Sequence, residues 1–399
     1  MLTTIDDANK ARHAPSNTFL TLEEILNREL GKLTNVEHFK ELDCFINNDK
    51  DCAEFINTLV AENEDDDIIQ IPPEGSELFK ISQRRAQHTV LTYLLGLAFL
   101  PFVEQFLFSS NKKNTHSISQ DFLEDWRITA IFHDIGYFNK HITNSDYNLR
   151  EGVTYWLLTD DYTDVRNKPL GCLNNFSCKF PSSFAYTYAE IESYDKYSRE
   201  RRNGKKGGER IDHGILGGTS SFNMLVRRVK NNQKVLTQYD HALIHAKKAC
   251  MTIAQHNIYK SNSDEDDAKL PDVLYPKLAS ASSFRISQNT PLLLFLSLVD
   301  TIECVKKFSR GESEKQYFQS STVLRKVNMS ISDNSIILDL SELKAECDKK
   351  SANSGNNNLQ KIFNNYYTGI IDLPRWTKFN VSADSHRENI LIISFPNKE

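Results

Sequence analysis

A chain of 399 residues, 39% apolar and 25% charged, is long enough for more than one domain and has the composition of an ordinary globular protein. Its formal charge of −5 and a pI near 6.2 exclude a global basic excess of the kind that draws nucleic acid or an anionic membrane surface. Seven cysteines, odd in number and without a close Cys-x-x-Cys pair, give neither a disulfide framework nor a strong zinc signature, and Cys172 and Cys178 lie six apart in a loop-like stretch.

The N-terminal 1-MLTTIDDANKARHAPS-16 carries Asp6 and Asp7 and lacks the apolar core of a signal peptide, so reduced thiols and a cytoplasmic location are the expectation. Residues 20–60 read as helical. Leu20, Leu22, Ile25, Leu26 and Leu30 recur at helical spacing, and Thr21 with Glu24 has the form of a capping box. The acidic 62-ENEDDD-67 and 72-PPEG-75 read as a solvated loop and a boundary. The apolar 90-VLTYLLGLAFLPFVEQFLF-108 holds Pro101, Glu104 and Gln105. Its uncharged part is short for a membrane span, so a core helix that ends or bends near Pro101 is expected.

Helical patterns dominate 84–99, 123–138, 213–229, 238–258 and 291–308, with irregular inserts at 143–198 and 260–284. The tail changes character. Two β-rich runs in 322–341 flank 332-SDNS-335 as a hairpin, 342–350 reads as helix, 351–358 as a flexible polar loop, 359–370 as helix and 378–395 as another hairpin. The expected architecture is mainly α: a helical extension over 1–75, a multi-helix bundle over 76–312 and a small α+β domain over 313–399.

The chemistry concentrates in 128-ITAIFHDIGYFNK-140, which reads as a buried helix with His133 and Asp134 in its middle. An unpaired charge there is expensive, so the two are either a satisfied core pair or ligands of a metal. Four more metal-capable side chains sit on or at the ends of helices that otherwise want burial. They are His88, His213 in 212-DHGILGG-218, His256 in 253-IAQHN-257, and Asp300 in 292-LLLFLSLVDTIE-303. One or two divalent cations at a shared centre would satisfy them together, and mixed imidazole and carboxylate suit Mn, Fe, Zn, Ni or Co better than Ca.

The order His88, His133-Asp134, His213, His256, Asp300 resembles the HD superfamily of metal-dependent phosphohydrolases over about residues 80–310. The form 133-HDIG-136 is similar to that of many bacterial members, and 298-LVDTIE-303 looks like the family's late helix. The resemblance implies an HD-domain bundle and one or two divalent ions (Mn, Fe, Ni, Co, Zn or Mg). It implies that Asp134 bridges the ions, that His88, His133 and Asp300 complete one, and that His213 and His256 serve the second. With a single ion, His213 and His256 become candidates for general acid or phosphate contact. His133, Asp134 and His213 are the implied catalytic residues. The sequence departs from the HD-GYP branch, with Tyr137 where that branch has lysine and no GYP motif downstream, and from two-metal members with a His-His pair, where it has His256-Asn257. The His213-Gly214 pair resembles the His-Gly of CRISPR-associated HD nucleases.

A substrate phosphate needs local positive charge. The segment 199-RERRNGKKGGER-210 has six basic and two acidic residues, +4 in all, and leads into His213. It reads either as a solvated loop or as a lid over an anionic substrate, with Lys205, Lys206 and Arg210 as its contacts and Lys140 as a further one. His241 and His245 stand at i, i+4, but His245 precedes His256 by about 16 Å of helix, too far to share one ion, and both are expected to be structural or to form a helix face near the cleft entrance. The implied activity is hydrolysis of a phosphodiester or phosphomonoester of a nucleotide-type or other phosphorylated small molecule, through a metal-activated water. A triphosphohydrolase using Arg150, Arg166 and Lys168, a nuclease, and a metal- or nucleotide-binding sensor without turnover stay open alternatives. No membrane partner is expected; a nucleic-acid substrate and homo-oligomers are left open.

Overall fold

The computed structural model describes residues 19–33, 36–61, 83–108, 120–136, 212–215, 217–218, 221, 239–257, 290–309, 317–332, 334–375 and 377–395. Helices dominate these residues and one small antiparallel sheet accompanies them, so the protein is mainly α. By contact density the chain divides into two compact units. The first draws on residues 1–59, 83–119 and 298–399, the second on 60–82 and 120–297.

In the first unit a short strand β1 (Leu20–Thr21) leads into α1 (Leu22–Leu30). The capping box forms as read: Glu24 N–H donates to the Thr21 hydroxyl at 3.2 Å, and Thr21 N–H donates to the Glu24 carboxylate at 2.8 Å. Leu22, Ile25, Leu26 and Leu30 are the buried stripe of α1, which packs against α4 (Gln83–Phe108). The short α2 (Leu42–Phe45) and α3 (Asp49–Ala61) lie between them in sequence. Helix α4 does not end at Pro101; it is continuous through it. One missing N–H is outweighed by the apolar surface buried on both sides of the proline, at Leu100 and Val103. Helix α4 is long and apolar enough to cross a membrane by length and composition, yet 78% of its apolar window is buried within the protein, as in a core helix.

Helices α8 (Val305–Phe308) and α9 (Ser320–Arg325) lead into β2 (Asn328–Ser332) and β3 (Ser335–Asp339). The expected hairpin is therefore present, but the first part of its stretch, 322–325, is helix rather than strand. Helix α10 (Ser341–Ser354) runs four residues into the segment read as a flexible loop and stops at Gly355, whose φ of 64° is left-handed and suits a residue without a Cβ. Helix α11 (Asn358–Ile371) follows, and β4 (Asn380–Ala383) pairs with β5 (Ile390–Ser394) as the second hairpin. The sheet order is β1-β2-β3-β5-β4. Met329, Ile336, Leu338, Leu391 and Ile393 are its buried residues at alternate positions. Because Leu20 pairs with Met329, segments expected to lie in 1–75 and 313–399 share one sheet.

The second unit contains α5 (Gln120–Phe132) packed against α6 (Tyr239–Gln255) and most of α7 (Pro291–Ile302), whose last residues from Leu298 belong to the first unit. Trp126 of α5 is fully buried and meets the Phe295 ring edge-on at 4.6 Å.

In the first unit α11 is anchored to the end of α7 by one buried bond, from the Tyr366 hydroxyl to the Ile302 carbonyl at 2.6 Å. The Tyr366→Phe variant leaves that carbonyl unsatisfied. It is expected to lose about 1–3 kcal/mol of stability, read as a lower denaturant midpoint at unchanged slope.

Candidate metal centre

Helix α5 ends at Phe132, and residues 133–135 form a turn. His133 N–H still donates to the Thr129 carbonyl at 2.9 Å, whereas Ile135 N–H reaches only to Phe132 at 3.0 Å. The expectation that His133 and Asp134 lie mid-helix is thus corrected: they occupy the first residues after the helix, and both are buried.

Within the second unit Asp134 is surrounded by imidazoles. Its Oδ1 lies 3.4 Å from Nε2 of His213 and 3.9 Å from Nε2 of His256, and its Oδ2 lies 4.0 Å from Nε2 of His133. These separations exceed good hydrogen bonds, which end at about 3.2 Å. They match ligand atoms around one cation, which stand about 3 to 4.2 Å apart when each bond is about 2.1 Å. The ligand atoms of Asp134, His213 and His256 all lie within 4.8 Å of one another.

Backbone carbonyls orient two of the rings. Nδ1 of His133 donates to the Ala130 carbonyl at 2.8 Å, and Nδ1 of His256 to the Ile253 carbonyl at 2.6 Å. A carbonyl only accepts, so in the neutral ring the proton sits on Nδ1 and Nε2 keeps its lone pair on the side of Asp134. Electron pairs of a buried carboxylate and of imidazoles that converge in this way can be shared by a cation placed between them. Buried His and Asp groups that can hold a metal ion are therefore present.

Three segments meet through bare backbone. A Cβ on Gly136 would fall 1.8 Å from the His213 carbonyl oxygen, and one on Gly218 would fall 2.3 Å from the Cys250 carbonyl oxygen. The turn after α5, the helical residues 213–215 and 217–218 and the last turns of α6 approach this closely because no side chain stands between them. Asp212 fixes the start of the middle segment: its Oδ1 accepts from Gly214 N–H at 2.8 Å and from the Asn257 amide at 2.9 Å. That amide also lies 2.9 Å from Nε2 of His213. Sequence reasoning passed over Asp212, although an Asp before a helix start is an N-cap signal.

The first unit holds the other two expected ligands together. His88, on α4, has Nε2 3.3 Å from Oδ1 of Asp300, in the last turn of α7. Its Nδ1 lies 2.7 Å from Oε2 of Glu303. All three side chains are buried. Glu303 was not singled out in sequence, though it stands one helical turn beyond Asp300.

Lys140, Lys205, Lys206 and Arg210 lie outside the described residues, as do Arg150, Arg166, Lys168, Cys172 and Cys178. His245 is structural, as expected: its Nδ1 is bonded to Oδ1 of Asp125 at 2.7 Å, joining α6 to α5. His38 and His386 are exposed. No family model matches the chain, and neither a curated protein nor a solved structure matches it.

Two predictions follow from the packing of the second unit. The Gly136→Ala variant forces two backbones apart and is expected to lose about 1–3 kcal/mol of stability in denaturant unfolding. Burial raises the Asp125 carboxyl above the usual carboxylate range, against the opposing hydrogen bond from His245 and the charge of Lys248. With a raised folded pKa, Asp125 contributes stability that is complete below its unfolded value near 3.8 and is lost as pH rises through the folded one. Measured below the histidine range, the Asp125→Asn variant is therefore expected to gain stability relative to the wild type as pH rises across that window.

Proposed function

We propose that this protein is a metal-dependent phosphohydrolase that cleaves a phosphoester of a nucleotide-type substrate with an activated water. The observation that carries this reading is the buried Asp134 carboxylate, with the Nε2 atoms of His213 and His256 at 3.4 and 3.9 Å. The donor set suits a first-row divalent ion. His133, Asp134, His213 and His256 hold it, and the resemblance to the HD superfamily adds His88 and Asp300 to the ligand set and supplies the bundle as the fold. A divalent ion there supplies Lewis acidity, which makes water nucleophilic near neutral pH and polarises a phosphoryl oxygen. The carbonyls of Ala130 and Ile253 hold two rings in the ligating tautomer, so no reorganisation is needed when the ion or substrate arrives. His213 is the candidate to move a proton to the leaving group, and the charged segment 199–210 is the candidate to hold the substrate's phosphates.

A second reading, a metal-binding sensor without turnover, is favoured by Asn257 standing where two-metal members of the HD superfamily carry a second histidine, with its amide bonded to Oδ1 of Asp212 at 2.9 Å.

The experiment is metal analysis of the purified protein with a product screen. Its panel holds nucleoside triphosphates, cyclic and linear dinucleotides, short DNA and RNA and an aryl phosphodiester, each with Mn, Fe, Ni, Co and Mg. Turnover of one substrate class is expected, with bound metal lost in the His133→Ala, Asp134→Ala double variant and the rate down by ~10³-fold or more, the several kcal/mol that a metal supplies. Stoichiometric metal without turnover selects the sensor; no metal in either protein rejects both readings.

A further inference from the structure

The end of α7 carries a buried carboxylate that the ligand pattern does not use. Glu303 lies at the break between α7 and α8 and is 3% exposed. Both of its oxygens are committed. Oε1 accepts the Val305 N–H at 2.7 Å, and Oε2 meets Nδ1 of His88 at 2.7 Å. Both oxygens also lie within reach of the Lys306 N–H, at 3.4 and 3.3 Å. Backbone donors thus pin the carboxylate from one side, and the imidazole holds it from the other. Three residues earlier, Asp300 sets its Oδ1 3.3 Å from Nε2 of the same ring.

We propose that Glu303 is the positioning residue that fixes His88 as a metal ligand, by holding its proton on Nδ1 and turning the Nε2 lone pair toward Asp300. This deepens the phosphohydrolase reading and rests on it for the presence of a cation. A carboxylate held by backbone N–H groups offers the ring acceptor electrons at Oε2. The ring then donates from Nδ1 and keeps its lone pair on Nε2. The alternative is a core histidine bonded to two carboxylates, with protons on both nitrogens and no place for a metal.

Glutamine separates the two. It keeps the volume of Glu303 but has one acceptor and one donor end. The Val305 N–H claims the acceptor, so the amide NH₂ faces Nδ1 of His88. The ring must then accept there and carry its proton on Nε2, which no longer ligates. Metal-free wild type, Glu303→Gln and His88→Ala are titrated with Mn²⁺ by calorimetry, and their metal-free melting temperatures are compared. The expected result is Mn²⁺ affinity lower by about 10- to 100-fold in Glu303→Gln, the usual effect of losing such a partner, with a metal-free melting temperature close to that of the wild type. His88→Ala should be weakened at least as much.

Wild-type affinity in Glu303→Gln beside weak binding in His88→Ala overturns the positioning role and leaves the metal reading standing. Wild-type affinity in both variants removes His88 from the ligand set and overturns the proposal, with Asp134, His213 and His256 still standing. No binding by the wild type overturns both. If Glu303→Gln does not fold, ¹⁵N-histidine spectra of the metal-free wild type decide, with the His88 signal assigned by its loss in His88→Ala. A proton on Nδ1 alone supports the proposal, and a proton on Nε2, alone or with Nδ1, overturns it.

Discussion

A carboxylate out of water is the constraint around which the second unit is arranged. Asp134 is 2% exposed, and an isolated ionised carboxylate at such a depth is strongly unfavourable. Among the described residues, the groups that face it are the imidazoles of His133, His213 and His256. An imidazole offers either a proton or a lone pair, and the carbonyls of Ala130 and Ile253 select the lone pair on the side of Asp134 for His133 and His256. A cation could satisfy all of these groups at once, and the close packing of the site brings them within reach of one.

Bringing them together demands that three backbones nearly touch. The turn after α5 and the residues around His213 come so close that Gly136 has no room for a Cβ, and Gly218 repeats this against Cys250. Polar side chains then lock the approach. Asp212 ties the start of the middle segment to Asn257 at the end of α6, and Asp125 ties α5 to α6 through His245. Each bond lies between segments far apart in sequence, so the packing of the unit and the precision of the site are the same property.

The first unit applies the same logic to His88. A buried histidine between Glu303 and Asp300 is held by a carboxylate that is itself held by the start of α8. The Tyr366 hydroxyl reaches the carbonyl of Ile302, next to Glu303, so the C-terminal helix pair steadies the chain where α7 breaks. The sheet draws in the N-terminal strand through Leu20 and Met329, and α1 packs on α4, the helix that carries His88.

The sequence by itself determined what depends on neighbours within a few residues. The stripe of Leu22, Ile25, Leu26 and Leu30, the Thr21–Glu24 capping box, the two hairpins and the helices α10 and α11 follow from local periodicity and capping, and the scarce histidines and Asp134 stood out against apolar surroundings. Only the tertiary structure decided the rest. Whether Pro101 ends a helix, whether 322–325 is strand or helix, and that β1 joins β2 depend on what packs against those residues. The end of α5 at Phe132, which takes His133 and Asp134 out of the helix, comes with the close approach of His213 and Gly217 to Gly136. Glu303, Asp212 and Asp125 gain their roles from partners 215, 45 and 120 residues away. A buried carboxylate has no fixed meaning until the fold supplies the donor it faces, and no local pattern encodes that donor.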